Sequence, residues 1–159
     1  NPTYGSWCFI GAVLTTWPLE PDRPLERSCC HCGACARNCP GRCFREGTYG
    51  YRTCKSYLTQ KKGELTEEEQ AILRKTPLIF GCDHCQLICP HNRQVPETPL
   101  AEFRRDRLPR IAGQDLENLT NRQFRERYGS YAFSWRGKKI LLRNLDLVEQ
   151  NDKSGQESR

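Results

Sequence analysis

The cysteines carry the chemistry this chain offers. The run Cys29-Cys30-His31-Cys32-Gly33-Ala34-Cys35-Ala36-Arg37-Asn38-Cys39-Pro40 reads C-x2-C-x2-C-x3-C-P from Cys29. A second run, Cys82-Asp83-His84-Cys85-Gln86-Leu87-Ile88-Cys89-Pro90, reads C-x2-C-x3-C-P and lacks one cysteine of the full pattern, which Cys54 is available to supply. Thiolates so spaced ligate [4Fe–4S] cubes, and the fourth cysteine of such a run serves the other cluster of a two-cluster protein. A short loop supplies three corners and a remote segment the fourth. The assignment is therefore crossed, with Cys29, Cys32, Cys35 and Cys89 on one cluster and Cys39, Cys54, Cys82 and Cys85 on the other.

Two rivals compete for the same residues. A disulfide framework fits poorly: the cysteine count is odd, at 11, and most are crowded together. No basic segment followed by an apolar one opens the chain, so no secretory signal is read and a reducing, cytoplasmic setting is expected. Structural zinc takes two C-x2-C pairs across a longer spacer, which matches the runs less well. Cys8, Cys30 and Cys43 are left over. Cys8 reads as a small core hydrophobe, the other two as bystanders, although Cys30 can replace Cys29 if the C-x2-C register is broken. His31, His84 and His91 lie in or beside the runs and read as supporting or solvent residues.

Composition sets the frame. The chain has 159 residues, 36% hydrophobic and 28% charged, so its core is modest and metal ligation contributes to folding. It starts at Asn1 and holds no Met, which suggests a processed chain or fragment. No apolar stretch is long enough to span a bilayer. Of the net charge of +6, residues 101–143 carry eleven basic and five acidic side chains. Two oxidised cubes add about −4, setting a negative cluster half beside a basic arm that is either a solvated face or a phosphate-contacting surface.

The expected fold class is α+β: a two-cluster module with an N-terminal strand remnant and a C-terminal basic helical segment. Residues 5–16, aromatic and β-branched, read as one or two short strands, and 17–24, with three prolines, as an extended connector. The first run is loop with a short helix before Cys39-Pro40. Residues 41–50 read as turns, and 51–60 as a short helix carrying Cys54 with Tyr57 and Leu58 inward. Thr66-Glu67-Glu68-Glu69 is a capping box opening a helix to about Lys75, and Thr120-Asn121-Arg122-Gln123 opens another to Tyr128 with Gly129 as its stop. Phe124 and Tyr128 share a face. From Lys138 to about Gln150, Leu141, Leu145 and Val148 recur on one side of a helix, and the last residues, 151–159, read as a frayed tail. The two loops suggest a pseudo-repeat. The divisions expected are 1–24, 25–99, 100–150 and 151–159.

Several motifs together resemble the epoxyqueuosine reductases, tRNA-modifying relatives of the cobalamin-dependent reductive dehalogenases. They are Tyr4-Gly5-Ser6-Trp7, the two cysteine runs, Arg52-Thr53-Cys54-Lys55-Ser56-Tyr57-Leu58-Thr59, and Ser134-Trp135-Arg136-Gly137-Lys138-Lys139. The resemblance implies a two-cluster ferredoxin-like domain followed by the start of helical repeats, with residues 1–24 left from a cobalamin-binding domain and its linker. It implies reduction of the epoxide of epoxyqueuosine, at the wobble position of the tRNA anticodon, to queuosine. Cobalamin and two [4Fe–4S] clusters are the implied cofactors, and the crossed ligand set is the family's. Ser56, Asp83 and His84 would border the corrin. Lys62, Arg136, Lys138 and Lys139 are candidate tRNA phosphate contacts, each with an ordinary solvated charge as the alternative. The implied partners are a tRNA anticodon stem-loop and an external electron donor such as a flavodoxin or ferredoxin; no membrane partner and a monomeric state are expected. The family's proton-donating acid lies before Tyr4, so no catalytic residue is assigned, and no turnover is expected of this chain alone. Cys30 stands where the family has glycine, and Pro40-Gly41-Arg42-Cys43 departs from its pattern. A free-standing two-cluster electron carrier is the alternative reading.

Overall fold

The computed structural model describes residues 1, 3–26, 29–45 and 47–156, with side chains through Gln150. Short helices dominate. In order they are α1 (Ala34–Arg37), α2 (Lys55–Leu58), α3 (Glu67–Arg74), α4 (His84–Leu87), α5 (Gln114–Glu117), α6 (Asn121–Tyr128) and α7 (Lys138–Gln156). One antiparallel hairpin, β1 (Phe44–Arg45) against β2 (Thr48–Tyr49), sits between α1 and α2, where the sequence reads only as turns.

The two cysteine loops are a true pseudo-repeat. Each short helix starts from a left-handed residue, Gly33 (φ 69°) before α1 and Asp83 (φ 48°) before α4. In each, that residue's carbonyl accepts from the N–H groups three and four residues on: Ala36 and Arg37, then Gln86 and Leu87. Glycine adopts this conformation without cost, and Asp is among the few other residues that tolerate it. The two helices pack against each other and bring the loops side by side.

Both capping boxes form. Thr66 Oγ1 accepts from Glu69 N while Glu69 Oε2 accepts from Thr66 N, and Thr120 and Gln123 repeat the exchange. Helix α6 ends at Tyr128 with Gly129 as its C-cap, as expected, and Gly129 stays right-handed there (φ −60°). Phe124 and Tyr128 share a buried face with Leu116 and Leu141. A second core joins Leu58, Leu65 and Leu73. Helix α7 serves both: Leu141 belongs to the first core, and Leu147 packs on the second.

Polar contacts lock α7 to the cysteine-bearing half. Asn144 is fully buried, and its amide donates to Thr59 O at 2.7 Å and Ile79 O at 2.9 Å. Arg143 donates to Leu58 O, Lys61 O and Gly63 O. These bonds reach across the proline-rich stretch 95–99 to residues 58–79.

Three expectations are corrected. Residues 5–16 form no strand; Phe9, Ile10, Val13 and Leu14 are almost fully exposed, and a strand without a partner has nothing to satisfy its backbone. Residues 51–60 are not one helix: a 3-10 turn, Tyr51–Thr53, precedes α2, Cys54 is extended between them, and Tyr57 points outward while Lys55 is buried. Helix α7 runs on to Gln156 because each added residue of an anchored helix gains a hydrogen bond without a new nucleus. Residues 157–159 of the expected tail lie outside the described part. Truncating Asn144 to Ala orphans two buried carbonyls. At roughly 1–3 kcal/mol for each unsatisfied group, Asn144→Ala should lower stability to urea by about 3 kcal/mol.

Candidate metal centre

All eleven cysteines are free thiols. Four come together from three remote segments. Cys54 enters from the N-terminus of α2, Cys82 and Cys85 from the second loop, and Cys39 from the end of the first. Burial first, then the charges of Cys82, Cys39 and Cys54, push the Cys85 thiol up. Cys82 is likewise raised by burial and feels Cys54 and Cys39, with the Lys55 ammonium opposing. These are the four thiols expected on one cluster. The other expected set is more open: Cys29 and Cys32 are exposed, and Cys35 and Cys89 half-buried. Within it, the Cys32 thiol is lowered, first by the N–H of Ala34, with help from Cys30 and the exposed Arg37. Among the described residues, no three His, Cys, Asp or Glu side chains converge as they do on a single metal ion. A cube holds its thiolates at separate corners and asks for no such convergence.

The surroundings of this half-buried set escaped the sequence. Lys55 is 1% exposed, and its Nζ donates to Leu73 O, Thr76 O and Thr76 Oγ1, each at 2.6 Å. Burial pulls its pKa down to about 8, while the charge of Cys82 opposes the shift. Nothing in the hydropathy pattern marks this lysine, because lysines on short helices are normally solvated. Cys43, not Cys8, is the buried spare cysteine; Cys8 is exposed because the strand meant to enclose it does not form. The Cys43 thiol is pushed up to about 12 by burial, then by its hydrogen bond with Cys39. Tyr49 is raised chiefly through a hydrogen bond with Cys54.

The Tyr4–Trp7 motif is tied to the second loop. Ser6 N donates to Asn92 Oδ1 at 2.8 Å, Asn92 Nδ2 donates to Ser6 Oγ and to Gln86 O, and Ser6 Oγ donates to Gln86 Oε1. Gly5 sits so close that a Cβ there would meet Asn92 Oδ1 at 2.1 Å, and its φ is +57°. Asn92, two residues past Pro90 of the second run, is the hub.

The remaining candidates divide. Ser56 and His84 are half-buried and Asp83 is exposed, its carboxylate accepting from Gln86 Nε2. Lys62 and Arg136 share a groove with Tyr57, Gln60, Lys61 and Trp135. Arg136 lies 3.6 Å from the centroid of the exposed Trp135 ring, whose Nε1 donates to Gln60 Oε1. Lys139 is exposed beside Glu64 and Asp146 on another groove. Lys138 is turned inward. Its ammonium donates to Leu119 O, with Leu116 O and Glu117 O nearby, so it clamps the end of α5 and is not free for a phosphate.

Residues 28–92 match the family model described as a 4Fe-4S double cluster binding domain. Over 150 residues the chain is 39% identical to the epoxyqueuosine reductase of Listeria monocytogenes, covering 93% of this chain and 39% of that protein. The chain is similar to the epoxyqueuosine reductases. It corresponds to the C-terminal portion and spans about two fifths of the length of such relatives. The solved epoxyqueuosine reductase of Streptococcus thermophilus superposes with a TM-score of 0.69 at 37% identity, over 85% of this chain and 35% of that one. Another, solved with an epoxyqueuosine-modified tRNA-Tyr stem-loop, gives 0.69 at 33% identity, over 84% and 36%. The chain thus carries the family's iron–sulfur-binding part, and none of its described helices is long and apolar enough to cross a membrane. In that part, Asn92→Ala should free the Tyr4–Trp7 motif, read as faster hydrogen exchange at the Ser6 amide and faster proteolysis before Cys8.

Proposed function

We propose that this chain is the electron-delivery portion of a cytoplasmic, monomeric epoxyqueuosine reductase, acting on epoxyqueuosine at the wobble position of tRNA. The gathering of Cys39, Cys54, Cys82 and Cys85 from separate segments is the observation that carries the reading. These four hold one [4Fe–4S] cluster, and Cys29, Cys32, Cys35 and Cys89 the other. The packing of α1 on α4 supports the exchange of one ligand between loops. Electrons come from a low-potential donor of the flavodoxin or ferredoxin class.

Residues 25–99 act as the cluster module and 100–150 as a basic helical arm docked on it, with 1–24 bordering a cobalamin-binding part. Ser56, Asp83 and His84 adjoin the ligands Cys54, Cys82 and Cys85 and would line the corrin. A cobalamin bound there supplies the reducing centre for the epoxide. Their part is to orient it and exclude water.

The groove beside Trp135 suits an unpaired nucleotide. An exposed indole offers a stacking face, and Lys61, Lys62 and Arg136 offer cations to the phosphates on either side. Lys139 contributes from the neighbouring groove, whereas Lys138 is already engaged.

Iron analysis tests the ligand set. Cys35→Ser combined with Cys89→Ser should leave about four irons per chain, as should either alone, whereas Cys85→Ser combined with Cys89→Ser should remove both clusters. The reverse order, no iron in the first double variant and about four irons in the second, would overturn the crossing. Binding of an anticodon stem-loop should weaken steeply with salt, and Lys62→Ala and Arg136→Ala should each reduce the salt slope by about one. Absence of binding at low salt leaves an electron carrier without an RNA role.

A further inference from the structure

The two sets of thiols each have a cation nearby, and the two cations differ in exposure. Cys32 faces the exposed Arg37, a charge that water screens. Cys82 faces Lys55, which is 1% exposed and adjoins Cys54 in sequence. The three acceptors around Lys55 Nζ match the three N–H donors of an ammonium, so the geometry holds a full positive charge in place. A fixed charge in a low-dielectric site acts far more strongly than one in water.

An oxidised cluster with four thiolates carries about −2 and becomes about −3 on taking one electron. A neighbouring cation favours the more negative state. We propose that Lys55 raises the reduction potential of the cluster held by Cys39, Cys54, Cys82 and Cys85 above that of the other cluster, and so sets the direction of electron flow between them. With clusters bound, the thiols of Cys29, Cys32, Cys35 and Cys89 would hold the one that takes an electron from the external donor, and those of Cys39, Cys54, Cys82 and Cys85 the one that takes it on. The first is reoxidised as the second is reduced, with no proton or bond exchanged. Lys55 is a positioning residue for charge and touches no substrate. Its contacts with Leu73 O and Thr76 O also tie α2 to the end of α3, so an architectural role alone is the competing account. The inference rests on the ligand assignment proposed above.

The test is a redox titration of the full chain, loaded anaerobically and followed by the electron paramagnetic resonance of the reduced clusters. Lys55→Met should lower the potential of one cluster so that its reduced-to-oxidised ratio falls at least tenfold at fixed potential, which is 59 mV for one electron. The other cluster should not move, and Lys55→Arg should restore most of the shift. Thr76→Asp, which keeps the lysine but sets a carboxylate against it, should lower the same potential. Unchanged potentials, or equal shifts in both clusters, overturn the proposal. Loss of clusters in Lys55→Met with Thr76→Asp at the wild-type potential does so too, because it leaves Lys55 an architectural role only. Failure of the ligand assignment is told apart by the metal content: about four irons, or zinc, instead of about eight in the full chain, or the reverse order of iron in the two double variants above.

Discussion

Carbonyl groups at the ends of very short helices are the constraint on which this structure depends. Helices α1, α2, α4 and α5 have four residues each, so nearly every carbonyl in them lacks a partner inside its own helix. Water can satisfy those at the surface. Those beside the buried cysteines need donors from elsewhere, and long cationic or amide side chains provide them. Lys55 serves the end of α3, Arg143 and Asn144 serve the end of α2, and Lys138 serves the end of α5. Lys75 reaches Pro40 O across the first loop. The cysteine loops are thus held in place by donors more than by apolar area, which suits a chain with two small cores.

This use of cations explains where the charge pattern misled. Cysteine spacing is local, so the double-cluster domain was legible from residue order. Capping boxes are local too, and both formed. The face shared by Leu141, Leu145 and Val148 followed from helical periodicity. Lys55, Asn144 and Lys138 act on carbonyls 18 to 85 residues away, and nothing in their own neighbourhoods signals it. Residues 5–16 failed for a related reason. Their composition favours a strand, but strands depend on pairing, and composition does not reveal a partner.

The surface charge is correspondingly smaller than a residue count implies. Lys55, Lys138 and Arg143 are turned to carbonyls, while Lys62 and Arg136 keep their charge on a groove with an aromatic floor. The basic arm is therefore not uniform. One patch combines cations with an exposed indole, whereas Lys138 and Arg143 serve architecture.

Helix α2 joins two kinds of anchoring in four residues. Its first end carries Cys54, proposed above as a cluster ligand, and its last end receives the guanidinium and amide of α7. Whatever order metal loading imparts to this segment is inherited by the distant helix, and docking of that helix strengthens retention of iron in equal measure, since thermodynamic coupling between two sites is reciprocal. Cofactor insertion and completion of the helical arm are, in that sense, a single equilibrium observed from opposite ends.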